Sequence, residues 1–125
     1  MSQTLYFGGP IVTMERELYV QALLTEGERI LYAGSLHGAE ERAEGTVRRV
    51  DLKGRALLPA FVDAHSHLGM FGDALGFEGD DGNEATDPCT PHLRAIDGVN
   101  PMDRCFRDAR LAGVTKDLTR PRSAN

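Results

Sequence analysis

The residues of this sequence best equipped for chemistry are Asp63-Ala64-His65-Ser66-His67. In a strand, side chains at i and i+2 point to the same face, so His65 and His67 can converge on one ion. Imidazole nitrogen suits zinc and other borderline divalent metals, and a carboxylate close by, here Asp63, can orient such a ligand from behind. A His-x-His pair is short, however, and the sequence holds four histidines in all. The competing reading is two polar residues at a strand end, hydrogen-bonded to loop backbone.

The elements that must position the pair follow from the apolar pattern. Ala60 to Ala64 is a compact, largely apolar run, as expected of a strand buried on both faces of a parallel sheet. Before it, the first 58 residues read as short strands between turns. Thr4 to Phe7 is one, stopped by Gly8-Gly9-Pro10, and Ile11 to Thr13 is the next. Tyr19 to Thr25 and Arg29 to Gly34 form the arms of a hairpin about Glu26-Gly27-Glu28. Leu36 to Gly45 suits a short helix or loop, Thr46 to Leu52 a further strand, and Ala56 to Leu58 a last one, ended by Pro59. This pattern predicts an antiparallel, all-β unit, a sandwich or partial barrel.

After the histidines, Gly69 to Asn100 is rich in Gly and Asp and shows no period, and a loop of that length is usually functional or disordered. Helical signals resume with Asn100 as N-cap, Pro101 at the first position and Asp103 in the first turn. Met102, Cys105, Phe106 and Ala109 share a predicted apolar face, Gly113 is the predicted C-cap, and Val114 begins a second strand. The result is a β–loop–α–β order.

Other candidates carry less. His92, between Pro91 and Leu93, reads as a loop hydrogen-bonder, and His37, beside Gly38, as a surface turn residue. Cys89 has no base near it in sequence, and Cys105 falls on the apolar helix face and reads as core. From Asp73 to Asp87 there are six acidic residues and no Lys or Arg. Such a run could attract cations but is more often a solvated loop.

Composition bounds the rest. With 125 residues, 41% of them hydrophobic and 26% charged, the chain has a globular mixture and is too short for a large α/β enzyme domain. A net charge of −5 at pH 7 provides no broad basic surface, so nucleic acid is not an expected partner. No apolar run approaches a membrane span and no signal peptide is recognisable, so the expectation is a soluble, cytoplasmic protein. Two cysteines fit a reducing compartment.

Leu52-Lys53-Gly54-Arg55-Ala56-Leu57-Leu58-Pro59-Ala60-Phe61-Val62-Asp63-Ala64-His65-Ser66-His67-Leu68 closely resembles the signature of the amidohydrolase superfamily. There, a strand ending in Pro-Gly leads into an apolar pair and then Asp-x-His-x-His. The hairpin from Leu23 to Gly34 is similar to the one that precedes the signature in that family. Gly76 to Glu84, Thr90 to Gly98 and Asn100-Pro101 resemble an imidazolonepropionase-like branch, whereas the opening sixty residues are more similar to the N-substituted formamide deformylase group.

The resemblance implies an α/β fold. Residues 1–58 would be part of a β-sandwich (the composite domain of ureases), and residues 59–125 the first β/α units of an incomplete TIM-type barrel. It implies hydrolysis of a C–N bond other than a peptide bond, in a small linear or cyclic amide. It also implies a divalent metal, most simply zinc with Mn or Fe as alternatives, held in part by His65 and His67 with Asp63 behind them. A homo-oligomer stays open.

Three departures stand out. Ala60 replaces the usual Gly, Lys116 and Asp117 put charge where the second barrel strand should be apolar, and Arg120 and Arg122 stand where that branch tends to have glycine. A whole barrel takes about 250 residues, and the ligands and proton-handling Asp that the family draws from later strands are not in this sequence. Activity of the isolated chain is therefore not expected. Two other readings remain at this stage: a non-catalytic truncated fragment, and a small metal-binding module using His65, His67 and the acidic stretch.

Overall fold

A computed structural model describes residues 2–72, 76–84, 86–87 and 89–122. Asp73, the first residue of the acidic run, lies outside the described residues. The chain divides into two units, Met1–Pro59 and Ala60–Asn125.

The first unit is built on four strands and one helix: β1 (Gln3–Val12), β2 (Tyr19–Glu26), β3 (Arg29–Gly34), α1 (Leu36–Arg42) and β4 (Val47–Asp51). Its sheet runs β3-β2-β1-β4. The pairs β1–β2 and β2–β3 are antiparallel, as the hairpin pattern demands. The pair β1–β4 is parallel, with Gln3 opposite Val47 and Phe7 opposite Asp51, which corrects the expectation of an antiparallel all-β unit. The cause is the connection. A parallel partner needs a crossover, and α1 carries the chain from β3 on one edge of the sheet to β4 on the other. Ser35 caps that helix, its hydroxyl accepting from the Gly38 N–H at 3.0 Å. His37, expected in a turn, is exposed on α1 with Nε2 3.3 Å from Glu41. Among the described residues of this unit there is one sheet, whereas a sandwich requires two.

Alternation along the strands builds the core. Val20, Ala22 and Leu24 of β2 are buried and Tyr19 and Gln21 are not, the period of two that puts one face inward. Leu5, Ala22, Leu24 and Ala39 form one cluster, flanked by Phe7, Tyr32, Leu36, Ala43 and Val47. Ile11, Val20 and Leu52 form a second.

Gly8-Gly9-Pro10 does not end β1 but bulges it. Phe7 faces Ala22 and Ile11 faces Val20, so the strand gains two residues over its partner between these points. Gly8 takes φ +79° there, a left-handed conformation that suits glycine. The bulge also changes the neighbour: before it β1 pairs with β4, and after it Val12 N–H donates to the Leu57 carbonyl at 2.9 Å. Ala56 to Leu58, expected as a strand, therefore reduces to a bridge between Ile11 and Leu57.

The second unit contains β5 (Phe61–Ser66), α2 (Arg104–Leu111) and β6 (Val114–Thr119), with two short 3-10 turns, Gly76–Gly79 and Ala95–Gly98, between β5 and α2. Strands β5 and β6 are parallel neighbours, so α2 lies in the crossover that this arrangement needs. The helix starts later than expected. Asp103, not Asn100, is the N-cap, accepting from the Cys105 N–H at 3.1 Å. Asn100 is occupied one turn earlier, its side chain accepting from Met102 N–H at 3.0 Å. Met102 thus falls outside the helix and is 87% exposed, while Cys105, Phe106 and Ala109 keep the sheltered face.

Strand β5 was expected to be buried on both faces, yet Phe61 and Val62 are 54% and 65% exposed. The reason is its surroundings: β6 is the strand paired with it among the described residues. On β6, Lys116 is exposed. Both carboxylate oxygens of Asp117 are sheltered from solvent without a hydrogen-bond partner, the costly arrangement anticipated for a charge at this position. Among the described residues no helix is long and apolar enough to cross a membrane.

Candidate metal centre

His65 lies in β5 and His67 directly follows its last residue, Ser66, at the C-terminal end of a parallel strand. Their rings lie together, with centroids 5.7 Å apart and planes at 87°, so the same-face expectation holds geometrically.

The backbone around His67 is tied to the end of β6 on both sides. Arg120 N–H donates to the Ser66 carbonyl at 3.2 Å. The Thr119 hydroxyl donates to the Leu68 carbonyl at 2.7 Å. Between these two anchors, His67 Nδ1 lies 2.6 Å from the Arg120 carbonyl oxygen. A carbonyl only accepts, so Nδ1 carries the proton and the lone pair at Nε2 is left free. That is how a metal-ligating histidine is ordinarily oriented. Phe71 packs against the same ring, centroid to centroid 5.9 Å at 80°. Gly69 completes the support: it takes φ +81°, and a Cβ there would lie 2.7 Å from the Phe106 ring. Only glycine fits both the backbone and the space. A cleft of ≈ 300 Å³ opens beside His67, lined by Leu68, Gly69, Phe71, Asp103 and Cys105.

His65 is held differently. One terminal nitrogen of the Arg120 guanidinium lies 2.9 Å from Nδ1 and 2.9 Å from Nε2 of the ring. With equal distances, the guanidinium straddles both ring nitrogens rather than lining up with one. Arginine has donors only and a neutral imidazole has a single acceptor nitrogen, so at most one of the two contacts is a hydrogen bond and the other is a close approach of the cation to the ring. Asp63, expected to orient an imidazole, has its Oδ1 3.0 Å from the His65 backbone N–H and accepts from it. The oxygen that orients a ring is the Arg120 carbonyl, on His67.

Whether the residues present fit a divalent ion can be tested on this donor set. Two imidazoles on one face, one with its tautomer fixed, are donors of the right type. Among the described residues no cluster of three or more His, Cys, Asp or Glu side chains is placed to hold an ion. The pair fits a metal as part of a shell and does not complete one.

The other candidates lie apart from it. His92 and Cys89 are exposed. Asp80, Asp81 and Glu84 line a separate cleft of ≈ 440 Å³ with Arg94 and Asp97. Burial raises the Cys105 thiol above its ordinary pKa. Arg120, noted in the sequence only as a departure, is the residue whose role was missed. The signal that could have found it is the parallel pairing: with Ser66 opposite Thr119, the next residue falls beside the histidines.

No protein-family model matches the chain. It is 45% identical over 76 residues to amidohydrolase tasK of Hapsidospora irregularis, a match covering 60% of this chain and 8% of that protein. It is 46% identical over 52 residues to the imidazolonepropionase of Streptomyces coelicolor, covering 42% and 12%. Among solved structures, an amidohydrolase from Thermotoga maritima superposes with a TM-score of 0.78 at 37% identity, over 98% of this chain and 30% of that one. The chain thus spans less than a third of the length of each of these proteins.

Proposed function

This chain belongs to the metal-dependent amidohydrolase superfamily, and we propose that it carries the first part of a hydrolytic centre for C–N bonds other than peptide bonds. In this reading His65 and His67 are the metal-binding pair, and the substrate is a small linear or cyclic amide. The observation that carries it is His67, whose Nδ1–H is fixed by the Arg120 carbonyl at 2.6 Å, leaving Nε2 as a ready ligand. A divalent ion, most simply zinc with Mn or Fe as alternatives, supplies Lewis acidity that activates water and polarises an amide carbonyl. This chain's own share is to present two imidazole nitrogens from one strand end and to hold them in place. The anchors at Ser66 and Leu68 set the backbone, and the cleft lined by Phe71 and Cys105 gives an apolar wall beside the ring. The 69–100 segment, with its acidic cleft, would contact substrate, since loops at this end of such folds carry specificity.

The second reading, a chain with no turnover of its own, is favoured by the missing third donor among the described residues and by Arg120 lying against His65. The two readings are compatible: alone, the chain is expected to be inert even when loaded with zinc. The test is to substitute this chain for the matching portion of the Thermotoga amidohydrolase and to assay amides, hydantoins and imidazolones. Hydrolysis by the hybrid that is lost on His67→Ala supports the proposal. A hybrid that folds, binds metal and hydrolyses equally well without His67 refutes it.

A further inference from the structure

We propose that the Arg120 guanidinium is a resident cation that competes with metal for His65, so that the histidine pair takes up a divalent ion only when this side chain swings away. The inference rests on the reading of His65 and His67 as a metal-binding pair, and deepens it by naming the residue that opposes binding. Three observations converge. The guanidinium nitrogen lies 2.9 Å from both ring nitrogens of His65, so its charge stands beside whichever nitrogen an ion would approach. Its charge is permanent and repels a divalent ion at any pH at which imidazole can bind one. And Arg120 is exposed, so solvent can receive the side chain when it leaves.

The same residue contributes to the pair in an opposite sense. Its backbone carbonyl orients His67, and a carbonyl is present whatever side chain stands at 120. Removing the guanidinium therefore unblocks His65 while the partner of His67 stays in place. Residue 120 thus separates two functions usually combined in one group, with support from the main chain and opposition from the side chain.

The experiment is zinc titration by calorimetry of the full chain, with Arg120→Met, Arg120→Gly, His67→Ala and the double variant Arg120→Met/His65→Ala. Met keeps a long side chain without a cation, so the result does not depend on the added freedom of glycine. Both Arg120 variants should bind zinc on the order of tenfold more tightly than the parent, the worth of one hydrogen bond from a charged donor. The gain should vanish in the double variant. In the metal-free state, the imidazole nitrogen resonances of His65 should shift on losing Arg120, with those of His67 left in place. Zinc affinity in both Arg120 variants equal to or below that of the parent overturns the proposal. If binding needs His67 yet gains nothing from removal of Arg120, the metal pair stands and the competition falls. If His67→Ala leaves zinc binding untouched, the metal-pair reading falls and takes this proposal with it.

Discussion

The two units bury apolar surface to very different degrees. Among the described residues, every buried hydrophobic side chain except Met70 lies in Met1–Pro59. In that unit one face of the sheet meets α1, and Leu5 and Leu24 are essentially inaccessible. In Ala60–Asn125, Phe61, Val62, Leu111 and Leu118 are more than half exposed, although β5 opens on an apolar pair suited to a buried sheet. A mixed sheet with a helix across it forms a core from its own residues. A lone parallel pair, with two faces and two edges, cannot. The histidine pair sits on the second kind of scaffold, placed by hydrogen bonds between strand ends and by the Phe71 ring against His67.

That contrast can be broken most decisively in the first unit. Leu24→Ala should cost on the order of 2–5 kcal/mol, read as loss of amide protection in β1, β2 and β3 under mild urea. A loss no larger than that of an exposed site would mean that the cluster around Leu24 is not the core it looks like. Polar cost rather than apolar gain governs the second unit, so the opposite sign is expected there. Asp117→Val removes a carboxylate whose two oxygens have no partner and should stabilise β5–β6 by about 1–3 kcal/mol. Chemical denaturation of that unit, followed by exchange at β6 amides, is the measurement, and destabilisation would reveal a partner for Asp117 in solution. The smallest effect concerns the two thiols. Burial raises the Cys105 pKa, so at a given pH less of it is thiolate, and its alkylation should lag that of exposed Cys89 and catch up only as pH rises. Timed iodoacetamide labelling with peptide mass spectrometry checks this; equal rates at pH 8 would show that the α2 face is open.

Much of this arrangement was legible in the sequence. The hairpin about Glu26-Gly27-Glu28 was, because two β-rich runs flank a turn, although Glu26 joins the strand opposite Arg29 and the register shifts between Leu24 and Thr25. The convergence of His65 and His67 was, because strand period alone puts them on one side. What was not legible depended on partners distant in sequence. Gly8-Gly9-Pro10 punctuates a turn and a bulge equally well, and only pairing with β2 and Leu57 decides between them. The parallel direction of β4 is set by where α1 delivers it. Asn100 and Asp103 are both good caps, and the choice between them falls to the turn in which Asp103 N–H donates to the Asn100 carbonyl at 3.1 Å. Arg120 was unreadable for the same reason, being 55 residues from the ring it touches.

One hydrogen bond in the second unit bears on how such a chain could diversify. Asn100 N–H donates to the Gly69 carbonyl at 2.8 Å, joining the two ends of the segment between the histidines and α2 at a narrow neck. A loop pinched in this way is thermodynamically modular: doubling its length costs only about 0.6 kcal/mol in closure entropy. Apart from Phe71, which packs on His67, and Gly82, whose carbonyl accepts from Arg122 N–H at 2.6 Å, its contents are expected to tolerate changes of length and sequence at small cost to the neck. The neck works like the collar of an interchangeable tool, holding the fitting in place while leaving open what the fitting grips.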